Sequence, residues 1–182
     1  VTKGPAGKAL LDKLAPKGIL GLAYWDNGFK SFSANSPINK PEDLRGKKMR
    51  IQSSKVLEEQ MRELKSLPQV MAFSEVYQAL QTGVIDAGFT AVKAAHSRKF
   101  YEVQKFGVAS NIMLAYDNLV VNPAWWNGLP ADVRGAIQKA ADKAVQRSIR
   151  TTDGVPAEDV KALNDAGMQT IVLTKAQEAV MA

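Results

Sequence analysis

The chain has 182 residues, 46% of them hydrophobic and 23% charged, which is the composition of a folded domain or of two modest lobes. No stretch approaches the roughly 20 apolar residues that a membrane-crossing helix needs. Twenty-four Lys and Arg against eighteen Asp and Glu give a formal charge of +6, a moderate excess that aids solubility and makes no case by itself for nucleic acid. Cysteine is absent, which excludes disulfides, thiolate nucleophiles and zinc–thiolate sites and leaves the compartment open. The opening "VTKGPAGKALLDKL" lacks the apolar core of a signal peptide, so the chain is either cytoplasmic or has lost a leader.

Taken in order, "AGKALLDKLAPKG" reads as a short helix stopped near Pro16 and Gly18. "ILGLAYW" reads as a buried strand, Asp26-Asn27-Gly28 as a turn, and "FKSFSA" as its returning partner, so a hairpin is expected. "SPINKPEDLRG" is a loop with one helical turn. "KKMRIQ" is a strand and "SKVLEEQMREL" a helix with Val56, Leu57, Met61 and Leu64 on one side. Pro68 precedes a short strand "QVMAF". Phe73, Val76, Tyr77 and Leu80 have helical spacing, with Ser74 as the expected N-cap and Gly83 as a left-handed stop. "VIDAGF" is the next strand. This β-α-β-α-β run implies parallel strands with right-handed crossovers and a ligand at their carboxyl ends.

Beyond Thr90 a helix runs to about Lys99, and "VQKFGVASNIMLAYDNLVV" holds two strands around a polar break. Pro130 and Asp132 open a long helix to Arg150, interrupted at Gly154-Val155-Pro156. A further helix ends at Gly167, and "MQTIVLT" is a last strand before a helical stub.

Few residues offer bond chemistry. His96 is the sole histidine, on a solvated-looking helix face without an obvious acid partner, which disfavours a Ser-His-acid triad. Carboxylates alone remain as metal ligands, and no acid-rich calcium loop, phosphate-cradling glycine loop or dinucleotide fingerprint appears. No catalytic residue, metal or cofactor is expected. Asp86 reads as a structural acid that satisfies a turn or the amides of the helix near Thr90.

Among the basic residues, strand parity splits Arg45 and Lys47 from Lys48 and Arg50. Arg50 ends a strand just before a helix start, where a guanidinium fork and free amides suit a carboxylate. A structural arginine paired with an acid is the alternative. Lys139, Lys143, Arg147 and Arg150 form the wet stripe of the long helix. Phe73 and Trp25 are able to stack on a ligand and Asn111 to hydrogen-bond one, or each belongs to the core.

Together "YWDNGF", "SPINKPEDLRGKKMRIQSS", "QVMAFSEVYQALQTGVID", "KFYEVQKF" and "WWNGLPADVR" resemble the solute-binding proteins of TRAP transporters, of the C4-dicarboxylate-binding type. The resemblance runs from about Ala6 to the end. It implies an α/β, periplasmic-binding-protein-like fold, with a mostly parallel sheet flanked by helices. It further implies a periplasmic receptor that closes on an organic acid and passes it to the permease subunits of the transporter, without catalysis.

Residues 1–35 would be part of a first lobe with a hinge strand, and 36–112 the second, ligand-binding lobe. Residues 113–182 would be a hinge strand, a long bracing helix and a return to the lobes. Family members begin earlier and end later, so a piece of a longer protein is expected, whose exposed sheet edges leave pairing with a second copy open.

Arg50 stands where the family grips the ligand carboxylate, Phe73 where it places an aromatic wall, and Ser53 where a polar residue follows the arginine strand. Ser36-Pro37-Ile38 replaces the Arg-Pro-Ile that supplies many members with a second cation. Asp86-Ala87-Gly88-Phe89-Thr90-Ala91 replaces Asp-Gly-Gln-Glu-Asn-Pro, leaving Thr90 as the shorter hydrogen-bonding residue. One arginine and greasier walls point to a monocarboxylate with an apolar or aromatic body.

Overall fold

The computed structural model describes residues 4–148 and 154–181. They divide into two compact units, one of residues 4–27 with 115–148 and one of residues 28–114 with 154–181.

The second unit is built on strand β1 (Leu20–Ala34, shared with the first unit), β2 (Lys48–Ile51), β3 (Leu67–Val70), β4 (Ala87–Ala91), β5 (Phe106–Ala109) and β7 (Gln169–Val172), in spatial order β3-β2-β4-β1-β5-β7. β2 pairs in parallel with β3 and β4, and β5 with β7, while β1 runs antiparallel to β4 and β5. The result is a mixed, mostly parallel sheet.

Helices cover both faces. On one, Leu57 and Met61 of α2 (Lys55–Glu63) and Met181 of α8 (Lys175–Met181) pack with Met49, Ile51, Phe32 and Phe89. The Phe32 and Phe89 rings stack at 4.5 Å. On the other, α3 (Val76–Gln81), α4 (Val92–Ser97) and α7 (Ala157–Asp165) bring Val76, Leu80, Val92, Ala95 and Leu163 against Phe100 and Met168. Each such large side chain contributes about 1.5–3 kcal/mol by leaving water.

Local chemistry sets the boundaries. Ser54 caps α2 by accepting from the Leu57 amide at 3.3 Å. Asp86 clamps β2: its Oδ2 accepts from the Lys48 N–H at 2.8 Å while its own amide donates to the Lys48 carbonyl. It is structural as expected, but it serves a strand rather than the helix near Thr90. Pro68 lies within β3 instead of before it, which an edge strand tolerates because only one side of it needs donors. Ser74 is not a cap: it lies inside a 3₁₀ turn, Phe73–Glu75, that leads into α3, whose N-cap position is Glu75; Val56 is 66% exposed, off the buried side of α2.

The expected hairpin at Asp26-Asn27-Gly28 does not form. β1 continues unbroken through it, Gly28 taking φ +76° within the strand, a left-handed backbone that favours glycine. Turn residues and a kinked strand ask for the same left-handed backbone, so the tripeptide did not distinguish them.

In the first unit, α1 (Pro5–Asp12) and the start of β1 are joined where the Tyr24 hydroxyl donates to the Gly7 carbonyl at 3.0 Å. β6 (Leu114–Val121) pairs with β1. α5 (Pro123–Gly128) was not foreseen; Asn122 caps it through the Ala124 and Trp125 amides. α6 (Ala131–Ser148) carries Lys139, Lys143 and Arg147 on exposed positions, and Arg150 lies outside the described residues.

Gly154 is the most constrained glycine of the return segment. It takes φ +131°, and an added Cβ would sit 2.8 Å from Asn111 Oδ1. Gly154→Ala is expected to destabilise the protein by about 1–3 kcal/mol, read as a lower urea midpoint; an unchanged midpoint would show that the loop relocates freely.

Candidate anion-binding site

Arg50 is the next-to-last residue of β2, opposite Gln69 on β3 and Gly88 on β4. Its side chain is buried, 6% exposed. The guanidinium is fixed by two donated bonds to the Met71 carbonyl, from Nε at 3.1 Å and Nη2 at 2.8 Å. Its carbon lies 5.2 Å from the centre of the Phe73 ring, which the exposed Arg98 also approaches at 5.4 Å. Two of the five N–H groups of the fork are thus used. Among the described residues no carboxylate makes an ion pair with Arg50. Burial pushes its pKa below the ordinary arginine value, though the group stays charged at any physiological pH. The fork is therefore a desolvated cation whose hydrogen-bonding capacity is only partly taken up.

A second cation shares this end of the sheet. β1 runs antiparallel to β4, so Lys30, opposite Ala91, reaches the end at which β2 and β4 finish. Lys30 is 7% exposed, donates to Gln52 Oε1 at 3.0 Å and lies 5.3 Å from the Phe89 ring. Sequence reasoning missed it. The signal in "FKSFSA" was weak: Lys30 shares strand parity with Phe32 and Ala34, but Ser31 and Ser33 on the other face are buried as well, so parity alone did not mark it.

The other expected residues scatter. Phe73 is half-buried, beside Arg50 and 6.0 Å from the Phe100 ring. Thr90 is half-buried near the end of β4, opposite Ser31. Ser53 is exposed in the link from β2 to α2, its neighbour Ser54 taking the cap. Ser36 receives the Lys47 ammonium at 2.7 Å. Asn111 holds the return segment, its Oδ1 accepting from the Val155 backbone N–H at 2.8 Å and its own backbone N–H donating to Glu178 Oε1 at 2.7 Å. Trp25 belongs to the first unit and is 38% exposed. His96 is exposed, 5.7 Å from the Tyr101 ring. No group of three potential metal-ligating side chains gathers among the described residues.

Two buried cations thus lie at the end of a mixed, mostly parallel α/β sheet where its parallel strands finish, the end at which open α/β folds hold their ligands. The comparisons narrow this. The model of bacterial extracellular solute-binding proteins, family 7 (DctP), matches residues 1–182, and the chain belongs to that family. It is 50% identical over 171 residues to the C4-dicarboxylate-binding periplasmic protein DctP of Rhodobacter capsulatus, covering 92% of this chain and 50% of that protein. A TRAP periplasmic solute-binding protein of Shewanella oneidensis, solved with bound succinate, superposes with TM-score 0.88 at 35% identity, over 99% of this chain and 59% of that one. Another from Desulfovibrio salexigens, with bound orotic acid, superposes with TM-score 0.89 at 31% identity, over 99% and 58%. The chain spans about half the length of the curated relatives it matches.

Because Arg50 has no acid partner among the described residues, removing its charge strands no partner charge, though it leaves the Met71 carbonyl without its two donors. Arg50→Met is expected to lower the ligand-free stability, read by urea unfolding, by no more than about 1–2 kcal/mol. A loss of about 3 kcal/mol or more would mean that the guanidinium is a structural tie.

Proposed function

We propose that this chain forms the acid-gripping part of a periplasmic receptor, which captures a small carboxylate by closing on it and hands it to the permease of a TRAP-type secondary transporter. No bond is made or broken. The observation that carries this reading is the buried Arg50 fork, held in place by a carbonyl and an aromatic ring and paired with no acid among the described residues. The named ligands of the similar proteins, C4-dicarboxylates, succinate and orotic acid, support it.

In this reading the free edge of Arg50 takes the carboxylate, Phe73 forms a flat wall against the ligand body, and Ser53 and Thr90 hydrogen-bond its oxygens. A charge-assisted contact of this kind contributes about 1.5–3 kcal/mol. Ser36 accepts from Lys47 and Asn111 from the Val155 amide, and each keeps a donor with which it would reach a ligand oxygen in this reading. Lys30 lies at the same end of the sheet but on the Phe89 face, opposite the face that carries Arg50, so its part in this reading is as a contact for the far carboxylate of a diacid that reaches round the strand ends. The exposed stripe Lys139, Lys143 and Arg147 is assigned to solvation rather than to nucleic acid.

A thermal-shift panel of succinate, malate, orotate and simple monocarboxylates tests this. A ligand at 100 times its Kd stabilises by about 2.7 kcal/mol. Acid-dependent stabilisation is expected in the parent and absent in Arg50→Met; equal shifts in both would remove Arg50 from the site. Lys30→Met is expected to lower the response to diacids more than to monoacids, and a uniform loss would deny Lys30 a role in ligand choice.

A further inference from the structure

The face of the sheet that carries Arg50 also holds a row of small residues. Gly88 lies opposite Arg50, Ser33 opposite Gly88, Gly107 opposite Ser33, and Thr170 opposite Gly107. Beneath α4 and α7 this row opens into a small cavity lined by Ser31, Ser33, Gly107 and Thr170 and roofed by Val92, Ala95 and Leu163.

Ser31 is 6% exposed and Ser33 4%, and the Oγ atoms of both, with Thr170 Oγ1, are buried without a hydrogen-bond partner among the described residues. Three orphan hydroxyls around one cavity are unusual, since each costs free energy if it stays dry. A water needs two or more polar partners and about one probe sphere of room. The glycines preserve the space. A Cβ on Gly88 would come within 3.1 Å of Ser33 Oγ, and one on Gly107 within 3.0 Å of Thr170 Oγ1 and of Met168 Sδ.

We propose that this cavity is an internal hydration site, in which a resident water bridges Ser33 and Thr170, with Ser31 as a third partner. Water is the fitting occupant because the lining offers hydroxyls that both donate and accept and, among the residues named, no charge. The site does not rest on the carboxylate reading above.

The sign of a stability change separates a hydrated from a dry cavity. Ser33→Ala and Thr170→Val each delete one hydroxyl at nearly constant shape. If a water bridges these groups, each deletion removes one of its anchors, and Tm is expected to fall by about 2–4 °C. If the hydroxyls are dry, each deletion removes a desolvation penalty and Tm rises or stays; that result in both variants overturns the proposal. A crystal structure of the parent chain gives the independent reading. A solvent peak about 2.6–3.2 Å from at least two of the three oxygens is expected. A cavity without density, or hydroxyls turned onto backbone carbonyls, overturns it.

Discussion

A guanidinium withdrawn from water with no carboxylate paired to it among the described residues is the constraint around which the second unit is arranged. Such a charge is unfavourable in isolation, and burial lowers the pKa of Arg50 for that reason. The fold keeps it charged and aimed by two means: the Met71 carbonyl, which accepts from Nε and Nη2, and the Phe73 ring at 5.2 Å. Neither neutralises it. In the function proposed above, a carboxylate would supply what the interior withholds, which ties the energetic incompleteness of the group to the anion it is proposed to bind.

The rigidity needed for this comes from the layers on either side. Phe32, Met49, Ile51 and Phe89 lock one face of the sheet against α2 and α8, while Phe100, Leu163 and Met168 lock the other under α3, α4 and α7. β2, flanked by β3 and β4 in parallel, has its backbone paired on both sides, and Asp86 adds a side-chain clasp at Lys48. The strand that presents Arg50 is therefore among the best-supported elements, as a preorganised contact requires. The edge strand β3 is less protected, with Leu67 and Val70 half or more exposed.

Much of this was legible in the residues. Leu57 and Met61 at i and i+4, the left-handed stops at Gly18 and Gly83, and the alternation of strand and helix signals from Lys48 to Ala91 give the α/β order directly. Other features were not, for identifiable reasons. Asp26-Asn27-Gly28 allows both a turn and a kinked strand, and the pairing of β1 with β4, β5 and β6, which decides between them, involves residues more than 50 positions away. Lys30 is an ordinary solvated lysine by composition. Its burial follows from β1 being a central strand, so that a side chain on the Phe32 side has no water to reach.

The sequence by itself determined the local periodicities, the caps and stops, the absence of thiol chemistry, and the family pattern that put a guanidinium at position 50. Those depend on neighbours within one or two turns of chain. Tertiary structure alone decided that Arg50 rests on Met71 with no acid beside it among the described residues, that Asn111 braces Val155, and that Lys30 is buried at the same end of the sheet. Such outcomes turn on which distant groups arrive within about 3 Å of a donor, and strand order, not local propensity, sets that distance.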